Sequence, residues 1–195
     1  MERAEEDILN VYDFDNTIFV PDSSACFVLF CLRHHPRAVL QAVPLSAFEG
    51  LLYLAEGKKD AKYLKQALFS FLNRLDNVEA IVEEFWECHA DHMEAWYLEQ
   101  KRPDDLIISA SPEFLLRPMT DRLGVSLMST RMNPFSGQIQ GKNCHDEEKV
   151  RRFLEIYPAD SIDCFYSDSL SDSPVARLAK EAFLVKDGIC LPWPK

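Results

Sequence analysis

Hydrophobic and polar positions divide this 195-residue chain into three stretches. The first is a single apolar run over residues 8–14, which predicts one buried strand. In the second, residues 23–100, apolar residues recur at helical spacing and glycine is almost absent, which predicts a bundle of helices. In the third, after residue 103, short apolar runs alternate with amphipathic segments, which predicts strands that alternate with helices.

The third stretch predicts a definite order of elements. Strands are expected at 106–108, 125–128, 162–166 and 183–185, and helices at 113–123, 146–157 and 174–180. Ser111 and Pro112 have the residue types of a helix N-cap and a first helical position. Gly124 has the residue type of a helix end, and residues 136–140 suggest a hairpin excursion.

The helical stretch predicts several separate helices. An amphipathic helix is expected over residues 58–75, and the next helix should begin at Asp76 or Asn77, both good N-caps. The apolar region 38–55 predicts a buried or interfacial helix pair, because polar residues interrupt it too often for a membrane span.

Together these elements predict an α/β fold, a Rossmann-like parallel sheet flanked by helices. The core would consist of residues 1–21 and 101–195, with an α-helical subdomain, residues 22–100, inserted after the first strand. In open parallel sheets, ligands bind at the carboxyl ends of the strands. Residues that directly follow predicted strands are therefore the first candidates for function.

Composition narrows the range of partners. The formal net charge of -11 argues against nucleic-acid binding, which needs clustered positive surface. It leaves open a small phosphorylated substrate held beside a bound cation. No run of 18 apolar residues is present, so no stable membrane span is expected. The six cysteines form no C-x-x-C pair, which favours reduced thiols and a cytoplasmic location. The oligomeric state cannot be read from these features.

Two aspartates, Asp13 and Asp15, stand two residues apart at the end of the first predicted strand, and Thr17 follows them. In a strand, residues i and i+2 point to the same face, so both carboxylates would lie together. Like charges this close are costly unless a cation or a proton separates them. The motif therefore predicts a metal site, or a nucleophile that works beside an acid.

Further polar residues stand near later strand ends. Ser109 precedes a predicted helix N-terminus, where free backbone amides can bind an anion, although a simple helix cap is an alternative. Lys142 follows the hairpin, where it could reach a phosphate or lie on the surface. Asp168 and Asp172 follow the strand at 162–166, so one sheet edge would gather four acids. A hard cation with oxygen ligands, such as Mg²⁺, would relieve their repulsion.

In this order the four elements resemble the signature of the haloacid dehalogenase-like hydrolase superfamily. That signature is D-x-D-x-T, then a strand-end Ser or Thr, then Lys, then paired acids after another strand. Segments 13–17, 109–112, 141–144 and 167–172 are similar to those of its phosphoserine phosphatase-like branch. The resemblance covers essentially the whole chain, and it implies that the helical insert is a cap over the site.

The resemblance implies a role for each matched residue. Asp13 would be the nucleophile that forms an aspartyl-phosphate, and Asp15 the acid that protonates the leaving oxygen and then activates water. The Asp13 carboxylate, the Asp15 backbone carbonyl and Asp168 would hold Mg²⁺. Asp172 would support the metal or fix Lys142. The expected phosphate-binding groups are Thr17, Ser109, Ala110, Lys142 and the backbone amides of residues 14–16.

The resemblance thus predicts a Mg²⁺-dependent phosphomonoesterase acting on a small phosphorylated metabolite. Two alternatives stay open: a phosphotransferase or mutase that passes the phosphoryl group to another hydroxyl, and a non-catalytic binding protein that keeps the fold. Phosphoserine itself is not the expected substrate. The loop after the first motif lacks the glutamate of phosphoserine-binding enzymes and offers only Asp22, which we interpret as a helix cap.

Overall fold

The computed structural model describes residues 8–42 and 61–194, and a six-stranded sheet forms its centre. The strands are β1 Leu9–Tyr12, β2 Leu106–Pro112, β3 Ser126–Thr130, β4 Ile162–Ser167, β5 Glu181–Lys186 and β6 Ile189–Pro192. Their order across the sheet is β3-β2-β1-β4-β5-β6. The strands β1 to β5 are parallel and only β6 runs antiparallel, to β5. The predicted α/β fold with a parallel sheet is confirmed.

The central strand β1 places alternate side chains on the two faces of the sheet. Val11 is fully buried in one hydrophobic cluster with Leu106 and Phe165 of the flanking strands. Tyr12 is fully buried in the other cluster, which includes aromatic residues of the helical insert. Because both faces of the sheet are covered, the sequence around β1 is apolar at consecutive positions, which is typical of buried parallel strands.

The helices occupy the two regions that the sequence assigned to them. In the insert they are α1 Ser23–His34, α2 Ala61–Leu68, α3 Val78–His89 and α4 Ala95–Gln100, with residues 36–42 also helical. In the core they are α5 Glu113–Leu123, α6 Glu147–Leu154 and α7 Ser173–Ala176. Within the expected 58–75 helix, α2 gives way to a 3-10 turn at Ser70–Arg74. The expected helix at 174–180 is only the four residues of α7.

Several predicted helix boundaries depend on single side chains or a single glycine. Asn77, rather than Asp76, caps α3 and accepts a hydrogen bond from the Ala80 N–H at 3.1 Å. Gly124 ends α5 with a φ of 71°, in the left-handed region where glycine carries no Cβ penalty. The predicted helix pair at 38–55 lies mostly outside the described residues.

Two strands of the core end at positions that differ from the prediction. Ser111 was expected to cap α5, but β2 continues through Pro112, which pairs with Thr130 of β3, and the Ser111 hydroxyl donates to Asp15 instead. Only one final strand was expected, whereas β5 and β6 form a hairpin. Asp187 and Gly188 join them with φ angles of 50° and 73°. Positive φ at both positions is the geometry of the two-residue turn that Asp-Gly favours.

The insert and the core share one hydrophobic cluster. The Trp86 ring of α3 packs edge-on against Phe14 and Phe19, which follow β1. Its indole N–H donates to the Leu115 carbonyl of α5 at 2.6 Å. The apolar packing therefore crosses the predicted boundary between residues 1–21 and 22–100, and the division into core and cap stays a prediction.

The compositional predictions concern membrane contact and disulfides. Within residues 8–42 and 61–194, each helix is too short or too polar to cross a bilayer. All six cysteines are free thiols, in agreement with the absence of paired cysteine motifs.

Candidate active site

The carboxyl ends of β1, β2 and β4 open into a cavity of about 550 Å³. Because β1 lies between β2 and β4, the loops that follow these three strands face one another. Helices α1 and α2 of the insert and α6 of the core supply the remaining wall. The cavity is lined by Asp13, Asp15, Asn16, Asp22, Ser24, Ala25, Lys65, Leu68, Ser109, Ala110, Ser111, His145, Lys149, Asp168, Ser169, Ser171 and Asp172.

The cavity contains most of the residues that the sequence singled out. Asp13, Asp15, Ser109, Ala110, Asp168 and Asp172 all line it, whereas Thr17 and Lys142 do not. The acids that follow β1 and β4 therefore converge, although the two pairs are more than 150 residues apart in the chain.

A buried lysine joins two of these acids. The Lys149 ammonium lies 2.7 Å from Asp13 Oδ1 and 2.7 Å from Asp172 Oδ2. Burial raises the pKa of Asp13 to about 7, although the Lys149 charge opposes this shift. Burial also disfavours the Lys149 charge, but the two carboxylates outweigh it and raise the lysine pKa. Lys149 is only 2% exposed, so this ion pair is shielded from water.

Lys149 occupies the place that the sequence analysis gave to Lys142. Lys142 is exposed and lines a separate surface cleft, and its carbonyl accepts a hydrogen bond from Arg152 at 2.7 Å. The structure therefore does not bring Lys142 to the acids. The sequence does contain a signal for Lys149, because it stands four residues before the buried Phe153 on α6. A lysine on the apolar face of a helix is rarely buried without a charged partner.

Asp15 is held at both carboxylate oxygens. The Ser23 N–H donates to Oδ1 at 2.6 Å, and the Ser111 hydroxyl donates to Oδ2 at 2.5 Å. The Ser24 hydroxyl lies 3.0 Å from the Ser111 hydroxyl, so α1 and β2 both help to orient this carboxyl group. Burial, and then the charge of Asp22, raise the pKa of Asp15, while the two serines oppose the shift. A raised pKa suits a group that must carry a proton before it gives it away.

Ser109 and Ser111 act together at the end of β2. The Ser111 N–H donates to the Ser109 hydroxyl oxygen at 3.0 Å, and both side chains are buried. Ser111 is a functional candidate that sequence reasoning missed, because it was interpreted as a helix cap. Only the fold shows that its hydroxyl reaches Asp15, 96 residues earlier in the chain.

Thr17 and the loop after β1 make hydrogen bonds within the protein. The buried Thr17 hydroxyl accepts a hydrogen bond from the Asp168 N–H at 2.9 Å. This contact ties the end of β1 to the end of β4, and Thr17 does not line the cavity. The Asn16 N–H, also expected to bind phosphate, donates to the Phe19 carbonyl at 2.8 Å. Both groups are therefore engaged within the protein, Asn16 still lines the cavity, and phosphate binding at these two positions stays a prediction.

The donor atoms at the cavity fit a hard cation. Asp172 Oδ1 is buried and has no hydrogen-bond partner among the described residues. Burial and the nearby charge of Asp172 raise the pKa of Asp168, which a cation between them would reverse. In residues 8–42 and 61–194, no three acidic, histidine or cysteine side chains form a metal centre by themselves. The expected set requires only two carboxylates and the Asp15 backbone carbonyl, all oxygen ligands of the kind Mg²⁺ prefers.

An ion-pair network fixes helix α6, which carries Lys149. The Glu148 carboxylate accepts hydrogen bonds from Arg151 at 2.6 Å and from Arg152 at 3.0 Å. Arg152 also donates to the Ser129 carbonyl of β3 at 2.6 Å. Hydrogen bonds from Arg151, and then from Arg152, lower the pKa of Glu148 from 4.5 to about 2.

Glu148→Gln should lower the thermal unfolding midpoint at pH 7 by about 2–4 °C. Because the pKa of Glu148 is lower in the folded protein, its contribution is complete above pH 4.5 and is lost as the pH falls through about 2. The difference between wild type and variant should therefore shrink between pH 5 and pH 2.5. Unfolding followed by circular dichroism measures it, with the exposed Glu147→Gln as control. A pH-independent difference would contradict the assignment.

Comparison with known proteins adds sequence relatives. A family model described as haloacid dehalogenase-like hydrolase matches residues 11–177. Protein CicA of Caulobacter vibrioides is 27% identical over 206 aligned positions, which cover 92% of this chain and 86% of that protein.

Solved structures share the fold. A protein of unknown function from Bordetella pertussis superposes with a TM-score of 0.74 at 20% identity, covering 92% of this chain and 90% of its own. A phosphoserine phosphatase, solved as a phospho-aspartyl intermediate analogue, superposes with a TM-score of 0.57 at 14% identity and covers 92% and 87% of the two chains. At these identities the likeness concerns the arrangement of strands and helices.

Proposed function

The chain belongs to the haloacid dehalogenase-like hydrolase family, and from that premise we propose that it is a Mg²⁺-dependent phosphomonoesterase. The observation that carries the proposal is the convergence of Asp13, Asp15, Asp168 and Asp172 on one cavity. Phosphoryl transfer depends mainly on positioning and on neutralising charge. The acids would hold the cation that neutralises the phosphoryl charge, and the buried Lys149 holds Asp13 in position.

Asp13 is the proposed nucleophile. Lys149 binds its Oδ1 at 2.7 Å, and Oδ2 is the oxygen that would attack phosphorus. A bond forms between Asp13 and the phosphoryl group while the ester P–O bond breaks, which yields an aspartyl-phosphate. Mg²⁺, held by the Asp13 carboxylate, the Asp15 backbone carbonyl and Asp168, would neutralise the phosphoryl charge. The phosphoserine phosphatase solved as a phospho-aspartyl analogue has the same fold, which supports this chemistry.

Asp15 is the proposed acid and base. Burial raises its pKa and so makes the carboxyl group easier to protonate, and the protonated group would give its proton to the leaving oxygen. The carboxylate that remains accepts hydrogen bonds from Ser23 and Ser111, which hold it towards the cavity. It then takes a proton from the water that attacks the aspartyl-phosphate, so Asp13 is restored and phosphate is released.

The substrate we propose is a small phosphorylated metabolite. A cavity of about 550 Å³ has the size of small-molecule sites. The Asp22 carboxylate accepts a hydrogen bond from the Ala25 N–H at 2.8 Å, so it caps α1 as expected. This capping role accounts for Asp22 without a substrate amine, and phosphoserine is not the substrate that we propose. We place the enzyme in the cytoplasm, which its six free thiols support.

The purified protein should release phosphate from an aryl phosphate when Mg²⁺ is present. Chelation with EDTA should lower the rate by about 100-fold or more, and added Mg²⁺ should restore it. Release of phenol and of phosphate are measured separately. Equal yields support the phosphatase. A phosphate yield that falls when an alcohol is added, without slower phenol release, would instead indicate a phosphotransferase. Inactivity across a broad panel of phosphate esters would indicate a binding protein.

A further inference from the structure

A second lysine, Lys65, reaches the cavity from the insert. It lies on α2, and its ammonium donates to the Ala110 carbonyl at 2.6 Å and lies 3.5 Å from Asn143 Oδ1. Ala110 stands between Ser109 and Ser111 near the carboxyl end of β2. Lys65 is therefore held against the part of the strand from which the phosphate-binding hydroxyl of Ser109 is expected to act.

The two lysines of the cavity differ in how their charge is balanced. Lys149 is paired with two carboxylates, whereas the hydrogen-bond acceptors of Lys65 within the described ranges are both uncharged. Burial lowers the pKa of Lys65, although the charges of Asp15, Asp22 and Asp13 oppose the shift. An ammonium group that is partly desolvated without a charged partner is costly. Such a group is retained most readily where a ligand supplies the missing anion.

We propose that Lys65 is a phosphate-binding residue supplied by the insert, whose ammonium pairs with a non-bridging oxygen of the substrate's phosphoryl group. The inference rests on the proposed function and extends it. A phosphate ester brings about two negative charges into a cavity already rich in acids. The charge of Lys149 is already shared by Asp13 and Asp172, whereas Lys65 lines the same cavity with only uncharged hydrogen-bond acceptors, so Lys65 has the more charge to offer an incoming phosphoryl group.

Neighbouring contacts keep α2 in position for this role. Lys62 donates to the Gly141 carbonyl at 2.7 Å, and the Gln66 side chain accepts a hydrogen bond from the Ile139 N–H at 2.9 Å. These bonds dock α2 on the segment that precedes α6. Lys62 makes the same kind of contact as Lys65, from a helix to a core carbonyl, but does not line the cavity. It is therefore a matched control for a purely structural role.

The test is direct binding of inorganic phosphate in the presence of Mg²⁺, measured by titration calorimetry. Lys65→Met should raise the dissociation constant by about tenfold or more, as the loss of a charge-assisted hydrogen bond would. Lys65→Arg should restore most of the affinity, and Lys62→Met should change it by less than about twofold.

Equal affinity in wild type and Lys65→Met would overturn the inference, as would an equal loss in Lys62→Met, which would show that docking of α2 is what matters. Failure of the wild type to bind phosphate would also overturn it. Because the measurement needs no turnover, it is separate from the test of the proposed function. A protein that binds phosphate through Lys65 but hydrolyses no ester would contradict the phosphatase and leave the role of Lys65 standing.

Discussion

Asp13→Asn should abolish Mg²⁺-dependent phosphate release, with a fall in kcat of about 10⁴-fold or more. The amide of asparagine is a far weaker nucleophile than a carboxylate. It also removes one negative ligand from the expected cation. The loss should appear with every phosphate ester, because the residue acts on the phosphoryl group that all of them share. Single-turnover phosphate release measures it, together with acid-quenched detection of the aspartyl-phosphate by mass spectrometry.

Asp104→Asn is the matched control for this prediction. Asp104 is an exposed aspartate whose nearest cation, Arg102, lies 3.8 Å away. The Asp104→Asn variant should keep a turnover within about twofold of the wild type, because exposed ion pairs contribute little. The circular dichroism spectrum of Asp13→Asn should match that of the wild type, since Lys149 keeps Asp172 as a partner. A folded Asp13→Asn variant with wild-type turnover would refute the assignment of the nucleophile.

The acids were predictable because their positions depend on local sequence alone. Asp13 and Asp15 follow the apolar run of β1, and Asp168 follows that of β4. In a parallel sheet the carboxyl ends of adjacent strands meet at one edge, so no knowledge of side-chain packing was needed. The same argument identified Ser109 at the end of β2.

Lys149 and Ser111 were not predictable in the same way. Lys149 reaches Asp13 only because α6 turns its buried face towards the end of β1, and this register depends on long-range packing and on the Glu148 network. Ser111 has the residue type of a helix cap, a local signal that its hydrogen bond to Asp15 overrides. Lys142, by contrast, had a suitable motif but follows Gly141, whose φ of 87° belongs to a turn on the surface.

The extent of the cap could be predicted only coarsely. Helical spacing located the insert, but the hydrophobic cluster that joins Phe14, Trp86 and Leu115 belongs to insert and core alike. Periodicity shows that a residue faces an apolar surface and does not show which one. Lys65 illustrates the consequence, because its position over the cavity follows from how α2 docks on the core.

Lys149→Met should remove both activity and a large part of the stability. It leaves the buried carboxylates of Asp13 and Asp172 without their shared cation, and breaking a buried pair in this way costs about 3–5 kcal/mol. The cost should shrink as the pH falls, because protonation of Asp13 removes one of the two charges. Activity should fall by about 10³-fold or more, since the nucleophile loses the group that holds it. Denaturant unfolding at several pH values measures the first effect, and phosphate release measures the second.

Lys142→Met tests whether Lys142 or Lys149 is the lysine that the reaction needs. Its side chain is exposed and lies outside the cavity, so it should leave stability and turnover within about twofold of the wild type. Lys149→Arg separates charge from shape, because a guanidinium keeps the charge but is too bulky for a site that is 2% exposed. It should recover part of the stability and little of the activity. The opposite result, an inactive Lys142→Met and an active Lys149→Met, would contradict this assignment. The phosphate would then have to bind in the separate surface cleft that Lys142 lines, and the acids around Lys149 would have a structural role only.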